Sequence, residues 1–355
     1  MKKLLSLLLA LCLASALLAG CGQQDNSEIA AQSDKTEVPS ASGDIFAMDT
    51  YMTITTYGDR CEEALQAAED EIKRLDDLLS VGNADSEISR INATGAGELS
   101  DDTRAMVQQA LDIWQTTGGA FDITVYPIMQ AWGFTTGEYK VPTEAELQAL
   151  LQTTGSEKLT LDDHTMTLGA GQGIDLGGIA KGFTSTRLME IFAEYDLTAG
   201  LVSLGGNVQC YGTKPDGSLW RCGIQDPNDP ENQNSLLGIL SIADKAVITS
   251  GAYERNFTDE STGQLYHHII DPATGAPARS GLSSVTVVSA DGTLADGLST
   301  ACYVMGLDQS IAYWQAYGEK FDLILMTDEN EVYVTAPIAD NFTSDYDVHV
   351  IEREG

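Results

Sequence analysis

Apolar residues recur at helical spacing mainly in the first half of this chain and at strand spacing mainly in the second. Residues 45–57 (IFAMDTYMTITTY) alternate and are rich in β-branched and aromatic types, which predicts a strand. Residues 62–80 place Leu65, Ala68, Ile72, Leu75 and Leu79 on one helical stripe. Residues 103–117 repeat the stripe through Val107, Ala110, Leu111 and Trp114, and Gly118-Gly119 stops it. Thr143 and Glu146 have the spacing of a capping box that opens a third helix to Leu151. Short strands are expected at 158–161 and 165–168, and a helix over 179–195. Strands then follow at 200–204, 208–211, 238–242, 246–249, 267–270 and 284–289. Helices over 295–305 and 310–316 precede strands at 322–326 and 332–334 that close the sheet. Helices early and strands late favour an α+β fold over a doubly wound sheet. No internal repeat is visible.

The first residues break this rhythm. Lys2 and Lys3 precede an apolar run from Leu4 to Leu18 that is short for a membrane span, and small residues follow it. Leu18-Ala19-Gly20-Cys21 has the form of a bacterial lipoprotein signal, so Cys21 is expected to be the lipidated first mature residue. An ordinary secretory leader cleaved nearby is the alternative. Residues 22–43 are polar and read as a flexible tether. The expected organisation is a signal at 1–20, the lipidated cysteine and tether at 21–44, and one large two-lobed domain over 45–355. The protein is then extracytoplasmic and lipid-anchored, on the cell membrane or the periplasmic face of a membrane.

Charge narrows the partners. The chain carries 19 basic and 53 acidic residues, a net charge of −34. Phosphate backbones would be repelled, so nucleic acid is excluded as a partner. The same surplus makes a divalent cation a plausible companion for any anionic substrate. Cys61, Cys210, Cys222 and Cys302 have no zinc-site spacing; Cys210 and Cys222 either pair across a hairpin or stay as buried thiols.

Four polar stretches carry candidate chemistry. Residues 174–182 (IDLGGIAKG) place three glycines, Asp175 and Lys181 at the entry to a helix. Bare backbone at Gly177 and Gly178, a helix N-terminus and a lysine suit a phosphorylated ligand, although the spacing matches neither the dinucleotide fingerprint nor the Walker loop. A tight strand-to-helix turn is the structural alternative. Residues 118–134 (GGAFDITVYPIMQAWGF) surround Asp122 with Phe121, Tyr126, Trp132 and Phe134, a mix for a planar ring or for a core. Residues 249–257 (TSGAYERNF) and 266–275 (YHHIIDPATG) bring Arg255, either a surface charge or an anion clamp, and the adjacent His267 and His268. In a strand those histidines point to opposite faces, so at most one serves a given pocket. Asp271 is either a turn residue or an acid–base group. In residues 295–300 (ADGLST), Asp296 and Thr300 lie one turn apart, a hard oxygen pair suited to Mg2+ or a plain helix surface. The acidic stretch 226–234 reads as solvated surface.

Taken in order, these stretches resemble the bacterial FAD:protein FMN transferases, once labelled thiamine-biosynthesis lipoproteins. The matching segments are MDT (48–50), LLSVGNADSEISRIN (78–92), GAFDITVYPIMQAWGF, IDLGGIAKG, VSLGGNV (202–208), TSGAYERNF, HHIIDPATG and ADGLSTACYVMG. They run over about 45–306. The resemblance implies the fold of that family and Mg2+-dependent transfer of FMN from FAD to a Thr or Ser hydroxyl of an acceptor protein, with AMP released. The acceptors implied are membrane redox subunits or flavin-domain proteins. It implies that Met48, Ala120, Phe121, Asp122, Asp175, Lys181, His268 and Ile270 line the FAD site. Gly178 (through its carbonyl), Asp296 and Thr300 are the implied Mg2+ ligands. Attack at phosphorus needs a base, for which His268 and then Asp271 are the candidates. The chain departs from the pattern at Gly82, where some members have an aromatic residue, and at Ser299, where some have a second acid. Two rival functions are an Mg2+-dependent FAD pyrophosphatase and a non-catalytic, lipid-anchored flavin-binding protein.

Overall fold

The computed structural model describes residues 38–353. The expected signal at 1–20, the lipidated Cys21 and the tether up to residue 37 lie outside the described residues. The end of the expected tether is strand instead: β1 (Ser40–Ala47) pairs antiparallel with β2 (Thr50–Tyr57), with Phe46 opposite Tyr51. The single strand expected over 45–57 is therefore the tip and second arm of a hairpin. Its turn residues, Met48 and Asp49, have φ of 49° and 58°. Asn-Gly usually marks such a turn, and Met-Asp conceals it.

The chain continues through α1 (Cys61–Leu79), α2 (Glu87–Thr94), β3 (Ala96–Glu98), α3 (Asp101–Thr116), α4 (Tyr126–Trp132), α5 (Glu144–Leu151), β4 (Thr160–Asp162), β5 (Thr165–Thr167) and α6 (Ala180–Glu194). There follow β6 (Ala199–Leu204), β7 (Asn207–Tyr211), β8 (Trp220–Gln225), β9 (Leu236–Ile242), β10 (Ala246–Gly251), β11 (Asn256–Thr258), β12 (Leu265–His267) and β13 (Leu282–Ser289). The last elements are α7 (Gly292–Met305), α8 (Leu307–Tyr317), β14 (Phe321–Thr327), β15 (Val332–Thr335), α9 (Ala336–Ala339), β16 (Phe342–Thr343) and β17 (Val348–Ile351).

One nine-stranded sheet, β1-β2-β6-β7-β10-β13-β14-β15-β17, organises the molecule. Its pairings are antiparallel except the last, where β17 joins β15 in parallel; β17 closes the sheet, not β15 as the apolar pattern suggests. One face carries α1, α6 and α7. The stripe of α1 seals that side with Ala64, Ala68, Ile72 and Leu75 fully buried. Burial of a Leu or Ile side chain contributes about 1.5–3 kcal/mol. The opposite face is covered by the small sheet β16-β9-β8, whose Trp220, Cys222, Leu237 and Leu240 pack on β7, β10 and β14. A mixed α and β architecture with strands concentrated late is what the patterning predicts. The described residues cluster as one compact unit.

Local signals set several helix starts. Thr143 and Glu146 form the full capping box of α5. Ser86, Ser100 and Asp291 accept backbone N–H bonds at the starts of α2, α3 and α7. The strand expected at 267–270 ends at His267, and Ile270 makes only a bridge to Pro277. Cys61, Cys210, Cys222 and Cys302 are buried free thiols, so Cys210 and Cys222 are not bonded.

Candidate active site

Helix α6 begins without a cap of its own, because Ile179 has no side-chain acceptor to offer. The missing acceptor comes from α7. Asp296 Oδ2 accepts the Gly182 N–H at 2.8 Å, and Asn207 Nδ2 donates to Asp296 Oδ1 at 3.0 Å. The helices approach closely enough for this because Gly182 and Gly292 carry no side chains. A Cβ at Gly182 would lie 2.5 Å from Asp296 Cβ, and one at Gly292 would lie 2.6 Å from Ser185 Oγ. Ser185 Oγ donates to Gly182 O at 2.9 Å and bonds Gln209 at 2.6 Å, which ties the crossing to β7.

The segment ahead of α6 is held as firmly. Asn92 clamps Ile174 in both directions, accepting its N–H at 2.7 Å and donating to its carbonyl at 2.8 Å. The Asp175 N–H donates to Ile123 O, and Asp175 Oδ1 accepts the Gly177 N–H at 2.8 Å. Gly178 then meets the ring of Phe121 and the Thr300 hydroxyl; its Cβ would lie 3.0 Å and 3.9 Å from them.

These elements form the floor of a cleft of about 1380 Å³. Met48, Ala120, Phe121, Asp122, Asp175, Gly178, Lys181, His268, Ile270, Asp296 and Thr300 all line it. The structure thus brings together every expected site residue within the described region except Asp271. The Asp271 carboxylate instead accepts the Ala273 N–H and the Thr274 hydroxyl in a turn, and it does not line the cleft. Asp122 is present but occupied. Its two oxygens accept from Thr124 N and Oγ1 and from Ser156 N and Oγ, at 2.7–3.0 Å. Its carboxylate braces the wall beneath Phe121.

The two histidines divide between core and cleft, although only His267 lies in a strand. His267 is buried with both ring nitrogens used, Nε2 toward Ala278 O at 3.0 Å and Nδ1 accepting from Ile269 N. His268 faces the cleft. Its Nδ1 lies 3.1 Å from Arg255 O, and a carbonyl only accepts, so Nδ1 carries the proton and Nε2 keeps its lone pair. Burial pushes the His268 pKa down to about 3, helped by the charges of Arg255 and Lys181. The ring is neutral at neutral pH.

Burial also raises Asp296, against Lys181, the Gly182 N–H and Asn207. It raises Asp175 against the Gly177 N–H, Arg255 and Lys181. Glu254, which lines the cleft, is pushed up to about 7 by the surrounding walls, and Asp296 adds to the shift while Lys181 and Arg255 oppose it. Among the described residues, Lys181 and Arg255 make no ion pair within 4.0 Å.

Sequence reasoning assigned no role to Asn207 and Glu254. Asn207 follows Gly205 and Gly206, both at positive φ, and that glycine pair was the available signal for a tight turn feeding a site. The acidic stretch read as solvated surface is also part of the site: Asp226 is buried, and Pro230 and Gln233 line the cleft.

The chain is similar to known proteins in sequence and fold. The model of the ApbE family matches residues 48–325. The FAD:protein FMN transferase of Vibrio cholerae is 34% identical over 268 residues, 73% of this chain and 78% of that protein. The FAD:protein FMN transferase of Treponema pallidum is 31% identical over 314 residues, 82% of this chain and 85% of its own. Among solved structures, the ApbE protein of Thermotoga maritima superposes with a TM-score of 0.79 at 30% identity, covering 85% of this chain and 99% of that one. The flavin transferase ApbE of Vibrio cholerae gives 0.75 at 29% identity, over 86% and 100%.

Proposed function

The chain belongs to the ApbE family, and on that premise we propose that its cleft transfers FMN from FAD to a Ser or Thr hydroxyl of an acceptor flavoprotein, with Mg2+ as the metal. The observation that carries the reading is the Asp296 carboxylate, fixed between α6 and β7 beside Thr300 and Lys181.

The donor set suits Mg2+. Among the described residues no three His, Cys, Asp or Glu side chains converge, so beside Thr300 and Gly178 the donors are the Asp296 carboxylate and neutral oxygens. Mg2+ is commonly held in this way, by one or two carboxylates with substrate phosphates and water completing the shell. Asp296, Thr300 and the Gly178 carbonyl would hold it. When bound, Mg2+ supplies charge neutralisation on the pyrophosphate.

The chain's own groups account for the remaining chemistry. Lys181 and Arg255, free of ion pairs, face the pyrophosphate charge. His268 Nε2 takes the proton of the incoming hydroxyl. The hydroxyl oxygen bonds to the FMN phosphorus, the bond from that phosphorus to the bridging oxygen breaks, and AMP leaves with the bridging oxygen. Phe121 offers an apolar face and Asp175 an acceptor to the rest of FAD. Met48 and Ile270 line the same volume. We also propose that lipid on Cys21 anchors the enzyme outside the cytoplasm.

The test is incubation with FAD and Mg2+, with and without an acceptor flavoprotein, followed by mass spectrometry. Acceptor heavier by one FMN, with AMP released, is expected. Free FMN and AMP regardless of acceptor would make the protein a pyrophosphatase. Intact FAD would leave only binding.

A further inference from the structure

The cleft is larger than one ligand requires. Pockets for small ligands run to about 1,000 Å³; this one reaches about 1380 Å³, and its lining extends beyond the expected site residues to a second arm at β8. The arm passes the Gly205–Gly206 turn to the far face of the large sheet, where Gly223, Ile224 and Gln225 of β8 form a wall.

That wall is a strand edge. In the small sheet β16-β9-β8, β8 is the outer member, and among the described residues no strand pairs with its other side. Exposed edges are ordinarily blunted by charge, proline or cover, because their free N–H and C=O groups recruit another strand. The exposed charge on β8, Arg221, lies outside the cleft, and the stretch facing the cleft carries none. The Leu236 side chain lies over Gly223, whose Cβ would come within 3.1 Å of it. Two apolar side chains flank the arm, Phe46 at 61% and Leu236 at 37% exposure. The β8 residues that line the cleft, Gly223, Ile224 and Gln225, offer no cation to a second anion. A hydrogen-bonding edge with apolar flanks suits an extended peptide.

We propose that the acceptor polypeptide binds in this arm as a strand added to β8, and that the added strand leads its Ser or Thr hydroxyl past Gly205–Gly206 toward Asn207 and Asp296. The inference rests on the transferase reading above. The arm is continuous with the site where a protein hydroxyl must arrive, and Gly223, Ile224, Pro230, Gln233 and Leu236 along it carry no charge, which suits an uncharged stretch of the acceptor.

The test uses the full enzyme and an acceptor flavoprotein that the wild type is first shown to label. Leu236→Asp should raise KM for the acceptor at least about tenfold, the scale of an interface anchor, with KM for FAD unchanged. Short peptides spanning the target threonine, N-methylated on alternate backbone nitrogens, then compete against the whole acceptor and leave the enzyme's fold untouched. One alternate set should weaken competition about tenfold or more and the other should leave it intact, because an added strand bonds through every second residue. Equal effects of both sets, peptides that do not compete, or an unmoved acceptor KM would overturn strand addition while leaving transfer standing. A wild type that releases FMN and AMP but labels no acceptor would remove both readings.

Discussion

Replacing Gly182 with alanine tests whether the crossing of α6 and α7 is what places the proposed metal ligand. The added Cβ would sit 2.5 Å from Asp296 Cβ and closer still to the Gly292 carbonyl oxygen, where ordinary contacts run 3.4–4 Å. The helices must part by close to an ångström, since a backbone carbonyl cannot swing aside. Overpacking of this kind costs about 1–3 kcal/mol. Alanine returns about 0.5–1 kcal/mol through its better helix propensity. The clash wins, with a net loss of about 1–2 kcal/mol and a melting temperature lower by about 1.5–3 °C for a domain of this size. Function should suffer more than stability. The 2.8 Å bond from Gly182 N–H to Asp296 breaks, and a displacement of about 1 Å at a reacting centre costs on the order of a hundredfold. Thermal melts and FMN transfer, measured on one preparation, check both halves. Gly292→Ala, facing two movable side chains as well as a carbonyl, should be milder. Wild-type melting and turnover in Gly182→Ala would show that the helices separate freely and that the crossing does not position Asp296.

Asp296→Ala should keep measurable FAD affinity by titration but lose transfer by at least about a hundredfold, the scale for a main electrostatic stabiliser; full turnover in that variant or in EDTA would remove the metal from the mechanism. Asp122→Ala strands the four donors on a buried carboxylate, and should cost about 2–4 kcal/mol in urea unfolding; a loss under half that would mean water replaces the acid. The depressed His268 pKa adds stability that is complete above the unfolded value of 6.5 and is lost as pH falls toward about 3, because only the unfolded chain binds the proton in that window. His268→Gln should therefore flatten the acid-side fall in melting temperature there, and an unchanged profile would contradict the burial argument. Cys21→Ser should release the protein from membranes with its activity intact, since stable attachment requires lipid; a variant that stays in the membrane fraction points to another anchor.

Elements with deep apolar stripes were legible to within a few residues, as α1, α3 and α6 show, because burial of one face dictates the period. Elements built from short or polar segments were not. Helix α2 buries only Glu87, Ile88 and Ile91, and α4 buries only Ile128 and Trp132, too few positions to display a rhythm. The β1–β2 turn escaped because Met48 and Asp49 adopt left-handed backbone without glycine. Such strain is held in place by its surroundings and clusters at functional sites, and here the turn lines the cleft. Most of the candidate cleft was readable through motif residues. What those residues bond to was not, because Asn207 reaches Asp296 across 89 positions and Asp122 reaches Ser156 across 34. Local spacing carries no trace of such partners. Asp271 shows the converse, an acid in a motif whose role is fully local.

The charge of −34 takes on a different meaning once the cleft is seen. Arg60, Arg74, Lys140, Lys158 and Arg187 are each neutralised by a carboxylate within 4.0 Å. Among the described residues Lys181 and Arg255 are not, and neither are eight other lysine and arginine side chains, but Lys181 and Arg255 share their cleft with Asp175, Glu254 and Asp296. The carboxylates of Asp175 and Asp296 are spent instead on backbone N–H groups of the segment that enters α6. At an effective dielectric of about 20, unit charges some 6 Å apart still interact by about 3 kcal/mol, so these cations feel the acids without being bound to them. A pyrophosphate can then meet both cations with no ion pair to break, which is the arrangement that avoids reorganisation at the moment of reaction. The same carboxylates would repel that pyrophosphate unless a cation accompanied it. An acidic cleft whose two cations make no ion pair therefore selects for a phosphate ligand that arrives with its metal over one that arrives alone.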